Sequence, residues 1–342
     1  LAVVALIGAD YVSDLLYGRP SGALFNAAVA IIAVAAFFVV NLFGLKTSSR
    51  TQNVLIIIKV GLMVLLISAL FKGVVIEPHG YEQGSPLFTL NDKSAISLFV
   101  ISLIPVCFAY GGYQQTINFG AEVKETRIIP KGIIIGIIIV ILLYLLINVA
   151  YVEVIGYEKM KNASAIGALL CEAWFGKAGG KVFDALMFLS VLAYVNILLM
   201  SNPRVMYAMS QDGVLPRIFS FRHPKTEALV PGLLTFSLIT IIVTFFGKGV
   251  DNILNFTMFL DSIGMSTSAA TLFILRKRKQ NEVMITGSWN RFTPMLAGFF
   301  VFSYFMIAVG VVIKDVNAAL IGVGLLALFL ALYFAFYHRK TA

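Results

Sequence analysis

The run Ile133–Val152 carries twenty consecutive residues without a charge, nearly all of them isoleucine, leucine or valine. At about 1.5 Å per residue a helix of that length measures about 30 Å, the thickness of a bilayer's hydrocarbon core. Comparable apolar runs recur along the chain. Leu1–Leu16 reads as the end of a spanning helix, and Phe25–Leu45, Thr51–Phe71, Val182–Met209 and Val230–Phe246 follow. Ile253–Leu275, Phe292–Ile313 and Ala318–Tyr337 complete the set, together with an interrupted run from Ser94. The expectation is an all-α polytopic membrane protein of about ten helices, with the lipid bilayer as its surroundings. Composition agrees: of 342 residues 59% are hydrophobic and 13% charged, about half the charged share of a soluble domain. Leu1 already lies inside an apolar run, so a chain that lacks its beginning is expected.

The connections are short and polar. Lys46–Arg50 reads as a turn, Lys72–Lys93 as a longer loop with Pro78 and Pro86, and Glu158–Phe175 as an amphipathic surface helix. If the interrupted helix runs from outside to inside, alternate connections divide the 26 basic residues unevenly. Sixteen fall on one side, in Lys46–Arg50, Lys124–Lys131, Arg204–Lys225, Arg276–Arg291 and the Arg339–Lys340 tail. Nine fall on the other, and Lys59 sits within a helix. The richer side is expected to be cytoplasmic. The formal charge of +9 is therefore a topology signal, and nucleic acid is excluded as a partner. Cys107 and Cys171 offer neither a disulfide framework nor a metal-ligand spacing, and no cofactor is implied.

The stretch Ser94–Pro130 breaks its own pattern at Phe108-Ala109-Tyr110-Gly111-Gly112-Tyr113. Two adjacent glycines forfeit roughly 2 kcal/mol of helix propensity against alanine. Gly112 lies about 18 Å from Lys124 along a helix, near mid-bilayer. Unpaired backbone groups at that depth are tolerated only against protein or a water-filled cavity. A helix interrupted at the midplane points to a transporter's binding site. The alternative is a glycine seam for helix packing.

Two ionisable residues are read as lying within spans, Lys59 and Asp261. Lys59 stands about 13 Å beyond Arg50, where a charge costs at least about 2.5–3.5 kcal/mol, so it marks a functional interior position or else snorkels. Asp261 either lines an outer vestibule or caps a local kink. Asn196 reaches a depth similar to those of Lys59 and Gly112, as helix glue or as a ligand. No HExxH, GxSxG, phosphate-binding loop or pair of intramembrane carboxylates at helical spacing occurs, so enzymatic chemistry is not expected.

Phe108-Ala109-Tyr110-Gly111-Gly112-Tyr113-Gln114, followed by Glu122-Val123-Lys124 and Pro130, resembles the sixth helix of amino acid–polyamine–organocation permeases. The closest likeness is to their L-type amino acid transporter-like branch. Asn202–Pro216, with Arg204, Tyr207-Ala208, Asp212-Gly213 and Leu215-Pro216, is similar to the run that follows the family's eighth helix. Leu254 to Arg278 looks like the tenth.

The resemblance implies a leucine-transporter-like inverted-repeat fold of twelve helices, of which this chain supplies the third to the twelfth as one transporter domain. It also implies secondary, sodium-independent amino acid transport by alternating access, through exchange or proton coupling. A polyamine or organic-cation carrier and a non-transporting amino-acid sensor on the same fold are the rivals. Carried over residue by residue, Phe108, Ala109, Tyr110, Gly111, Gly112, Tyr113 and Gln114 are expected to bind substrate, with Phe108 the aromatic gate. Asn196 joins them as an eighth-helix polar residue. Lys59 matches a fifth-helix lysine near a vacated sodium site and is expected to couple or gate. The oligomeric state is left open.

Overall fold

The computed structural model describes residues 1–18, 21–72, 93–123, 125, 128–156, 159–160, 165–246, 250–277 and 292–337. Among them every regular element is helical. In chain order these are α1 (Ala2–Tyr17), α2 (Ala23–Leu42), α3 (Leu45–Ser68), α4 (Lys93–Tyr110) and α5 (Tyr113–Ile117). Next come α6 (Ile128–Ile155), α7 (Ile166–Phe175), α8 (Lys177–Gln211) and α9 (Val230–Phe246). The last three are α10 (Val250–Lys277), α11 (Thr293–Lys314) and α12 (Val316–Tyr337). Seven helices of the described residues have the length and apolarity to cross a membrane, against the ten expected. Shorter apolar helices, including Val230–Phe245 and Val316–Ala331, account for part of the difference. Of the basic residues used to orient the chain, Arg19, Lys124, Arg127, Lys161, Lys248, Arg278, Lys279, Arg291, Arg339 and Lys340 lie outside the described residues, as does most of the 72–93 loop.

The chain divides into two compact units. The first comprises Leu1–Gln83 and Gly112–Gly247, and the second Gly84–Gly111 and Lys248–Ala342. In the first unit α8 is the central strut. It is 35 residues long, about 52 Å, and α1, α2, α3, α5, α7 and α9 all pack against it. Its buried side chains, among them Phe183, Asp184, Val195, Asn196, Leu199 and Ser201, fall on several faces. A helix surrounded by partners has no single apolar stripe, which is why its pattern reads as uniformly hydrophobic. In the second unit α10 and α11 pack on each other, α4 lies against α11, and α12 against α10. Ile104, Met258, Phe259, Tyr304, Ile307 and Val311 form the core there. Gly310 lets α11 meet α4 closely, since a Cβ at that position would stand 2.9 Å from the Val100 carbonyl oxygen.

One connection differs from expectation. Lys46–Arg50 is the opening of α3 and not a turn. The turn is shorter, Phe43-Gly44, with Gly44 at φ 92°. Ser48 Oγ donates to the Gly44 and Val40 carbonyls at 3.1 and 3.3 Å, and Thr51 Oγ1 donates to the Thr47 carbonyl at 3.1 Å. Hydroxyls that bond back along the helix let a polar tetrapeptide remain helical.

Candidate functional site

The interruption expected in the Ser94–Pro130 stretch is present, and its geometry is set by two glycines. α4 runs through Pro105 and ends at Tyr110, where the Gly111 amide bonds the Phe108 carbonyl at 3.2 Å. Gly112 then takes φ 113°, ψ −18°, a left-handed conformation that an L side chain strains to adopt. Its amide donates to Gln114 Oε1 at 2.9 Å, and its carbonyl accepts from the Gln115 amide at 3.0 Å. Helix resumes for a single turn in α5. The helix is thus interrupted between Tyr110 and Tyr113, with Gly111 and Gly112 outside any helical run. The division between the two units falls at this peptide, between Gly111 and Gly112.

Before the break, Phe108 packs at the margin of the second unit's core, and Cys107 beside it is within electrostatic reach of Asp261 on α10. Asp261, read from sequence as vestibule lining or a kink cap, is thus a neighbour of the end of α4. Ala109 and Tyr110 are exposed.

After the break, the segment Tyr113–Glu122 is fastened to α8. Ser201 Oγ donates to Gln115 Oε1. Arg204, one helical turn on, donates from Nε to Glu122 Oε1 at 2.7 Å and from Nη1 to the Met200 carbonyl, with its guanidinium 4.7 Å over the Phe119 ring. Arg204 and Glu122 also line a cleft of about 560 Å³ with Asn118, Tyr207, Gln211 and Asp212, at the end of α8 that leads into the basic loop. Across it Arg222 stands 4.3 Å over the Tyr207 ring. From sequence, Arg204 is read as a topology signal and as part of the Asn202–Pro216 run, and Arg222 as a topology signal alone. Their pairing joins residues 82 positions apart in one case, and no local pattern announces it.

Asn196 is fully buried on α8 and its amide group is fully engaged. It accepts from Asn41 Nδ2 of α2 at 3.0 Å and donates to Gln52 Oε1 and the Ser48 carbonyl of α3 at 2.9 and 3.1 Å. That arrangement binds three helices to one another. Lys59, by contrast, is exposed, and among the described residues no hydrogen bond or ion pair reaches it. It continues the row Ser48, Gln52, Leu55, Leu62, Leu66 by which α3 is buried. Lys59 lies seven residues beyond Gln52, about 10 Å along α3, so the depth it was expected to share with Asn196 is not shared. Asp10 and Asp14 on α1 and Asp184 on α8 lie within the runs read as spans, where the sequence reading counts only Asp261. Asp184 stands near the start of α8, and burial rather than spacing sets it apart.

The chain belongs to the Amino acid permease family, whose model matches residues 1–336. That match bears out the resemblance to amino acid–polyamine–organocation permeases. Among its relatives is the serine/threonine exchanger SteT of Bacillus subtilis (strain 168), 25% identical over 291 residues, or 82% of this chain and 63% of that protein. The branched-chain amino acid permease BcaP of the same organism is 28% identical over 203 residues, 59% of this chain and 42% of BcaP. The human large neutral amino acids transporter small subunit 2 is 25% identical over 292 residues, 81% and 52% of the two chains. The chain thus spans between 42% and 63% of the length of these relatives. It is a multi-pass membrane protein.

Proposed function

We propose that the protein is a carrier and not an enzyme, a single transporter domain that moves amino acids across the cell membrane by alternating access, without sodium. The observation that carries this reading is the break at Gly111-Gly112. It interrupts an otherwise apolar segment of a chain from a permease family. Phe108, Ala109, Tyr110, Gly111, Gly112, Tyr113 and Gln114 form the substrate-binding stretch, with carbonyls of the α4 end suited to an ammonium. Asn196 supports that stretch by locking α8 to α2 and α3, and Lys59 supplies a fixed cation for coupling or gating. The names of SteT, BcaP and the human transporter support serine or threonine, branched-chain and large neutral amino acids as the first substrates to try.

The test is uptake of labelled serine and leucine into proteoliposomes holding the full-length protein, with choline replacing sodium. Uptake at an unchanged initial rate supports the reading. Flux that falls several-fold in choline overturns the sodium independence, and binding of either amino acid without flux overturns transport.

A further inference from the structure

We propose that α1 and α8 hold a proton-binding site between them, with Asp184 the carboxyl that takes the proton and Asp14 and Asp10 its neighbours. Asp184 lies in the second turn of α8 and is 7% exposed, and its Oδ1 has no hydrogen-bond partner. Asp14 on α1 is close enough for its charge to act on Asp184. Asp10, one helical turn earlier on α1, is held by Asn26 Nδ2 at 2.5 Å, and Asn26 Oδ1 in turn accepts from the buried Ser13 hydroxyl at 2.7 Å. Tyr11 is within electrostatic reach of all three carboxylates, and its ring meets Phe183 edge-on at 6.2 Å. The two helices approach closely, since a Cβ on Gly8 would stand 2.7 Å from Val191 Cγ1.

Among the described residues no ion pair reaches Asp184. From α7 it faces Cys171, whose thiol is pushed up to about 11 by burial and by Asp184, so that neighbour is neutral. Tyr151 of α6 stands behind, facing Tyr11 and Cys171. At this level α3 presents Leu62 and Leu66, which cluster with Phe183. α2 and α9 carry no ionisable side chain. Lys177 and Lys181, earlier on α8, are exposed and make no ion pair with Asp184. A buried carboxylate without counter-ion or donor is costly as an anion, and adding one proton removes the charge. Among the described residues no group of three or more His, Cys, Asp and Glu side chains is placed to hold a metal ion. In the step itself an O–H bond of a hydronium ion breaks and an O–H bond forms on a carboxylate oxygen of Asp184, so that water leaves and the charge on Asp184 changes from −1 to 0. Along α8 the site lies about 18 Å from Asn196, so it is separate from the amino-acid stretch and goes beyond the proposed transport.

Infrared difference spectra of the full-length protein in lipid, recorded without substrate as pH is stepped, read the protonated carboxyl directly. The wild type is expected to show a titrating carboxylic-acid carbonyl band that disappears in Asp184→Asn and persists in Asp261→Asn. Asp14→Asn, which removes a like charge, is expected to move the appearance of that band to lower pH, and this decides the matter if Asp184→Asn does not fold. A band unchanged in Asp184→Asn, a midpoint unmoved in Asp14→Asn, or a band abolished by sodium at constant pH overturns the site. Because no substrate is present, a failed uptake assay leaves this result standing, and uptake without the band removes the proton site alone.

Discussion

Asn196 and Gln52 are 144 residues apart in the chain, and their side-chain amides meet at 2.9 Å in a position closed to solvent. Because the second hydrogen bond from Asn196 goes to the Ser48 carbonyl and a third comes from Asn41, one residue fixes the register of α2, α3 and α8 together. Asn196→Leu removes one hydrogen bond each from Asn41, Gln52 and the Ser48 carbonyl, at about 1–3 kcal/mol for a buried group left unsatisfied and less where the membrane state finds substitutes. The expected outcome is a lower melting temperature in detergent with substrate affinity nearly retained. Loss of affinity at unchanged stability would place Asn196 on the ligand instead.

Gly112→Ala is expected to abolish most transport, because φ 113° is closed to a side chain and the break must shift to relieve it. Gly132→Ala is the control, since Gly132 lies within α6 with no heavy atom near its missing Cβ. Uptake by the two variants, corrected for protein in the membrane, checks this. Equal rates would show that the left-handed turn is dispensable.

Much of this architecture was legible in advance. Apolar runs gave the helices to within a few residues, Val230–Phe246 without any change, and the paired glycines gave the break. Lys46–Arg50 was misread because a polar first turn of a helix and a polar loop have the same composition, and only the hydroxyl bonds to Val40, Gly44 and Thr47 tell them apart. Asp184 escaped notice because acids near a helix end are common. Its isolation depends on which side chains of α1, α3 and α7 surround it. The Arg204–Glu122 pair joins two helices through a turn whose shape no periodicity encodes.

Arg204→Gln is expected to release the Tyr113–Glu122 segment from α8, removing the ion pair, the bond to the Met200 carbonyl and the stacking on Phe119 together. Protease nicking or hydrogen exchange between Gln115 and Glu122 should rise several-fold, with α1 and α9 unaffected. Arg204→Lys keeps the charge but not the planar fork, and restores only part of the protection. Unchanged exchange in Arg204→Gln would show that Gln115 and Ser201 suffice.

Lys59→Ala removes a cation that no ion pair among the described residues neutralises. The variant is expected to insert at least as well as the wild type, since a charge at depth costs about 2.5–3.5 kcal/mol. It should bind substrate with nearly normal affinity while losing most turnover. Binding and flux on one preparation distinguish the outcomes. A parallel loss of both assigns Lys59 to the ligand, and normal flux reduces it to a lysine reaching for the interface.

The peptide between Gly111 and Gly112 gives sequence neighbours different structural allegiance. Residues up to Gly111 take their support from α10 and α11, encoded more than a hundred residues downstream, whereas residues from Gly112 onward take theirs from α8 and, through it, from the first seventy residues. A mutational scan across Phe108–Gln114 is therefore two experiments joined end to end. Second-site suppressors of a defect at Phe108 should arise in the C-terminal third of the gene, and those of a defect at Gln115 in the codons for α8, although the two positions are only seven apart.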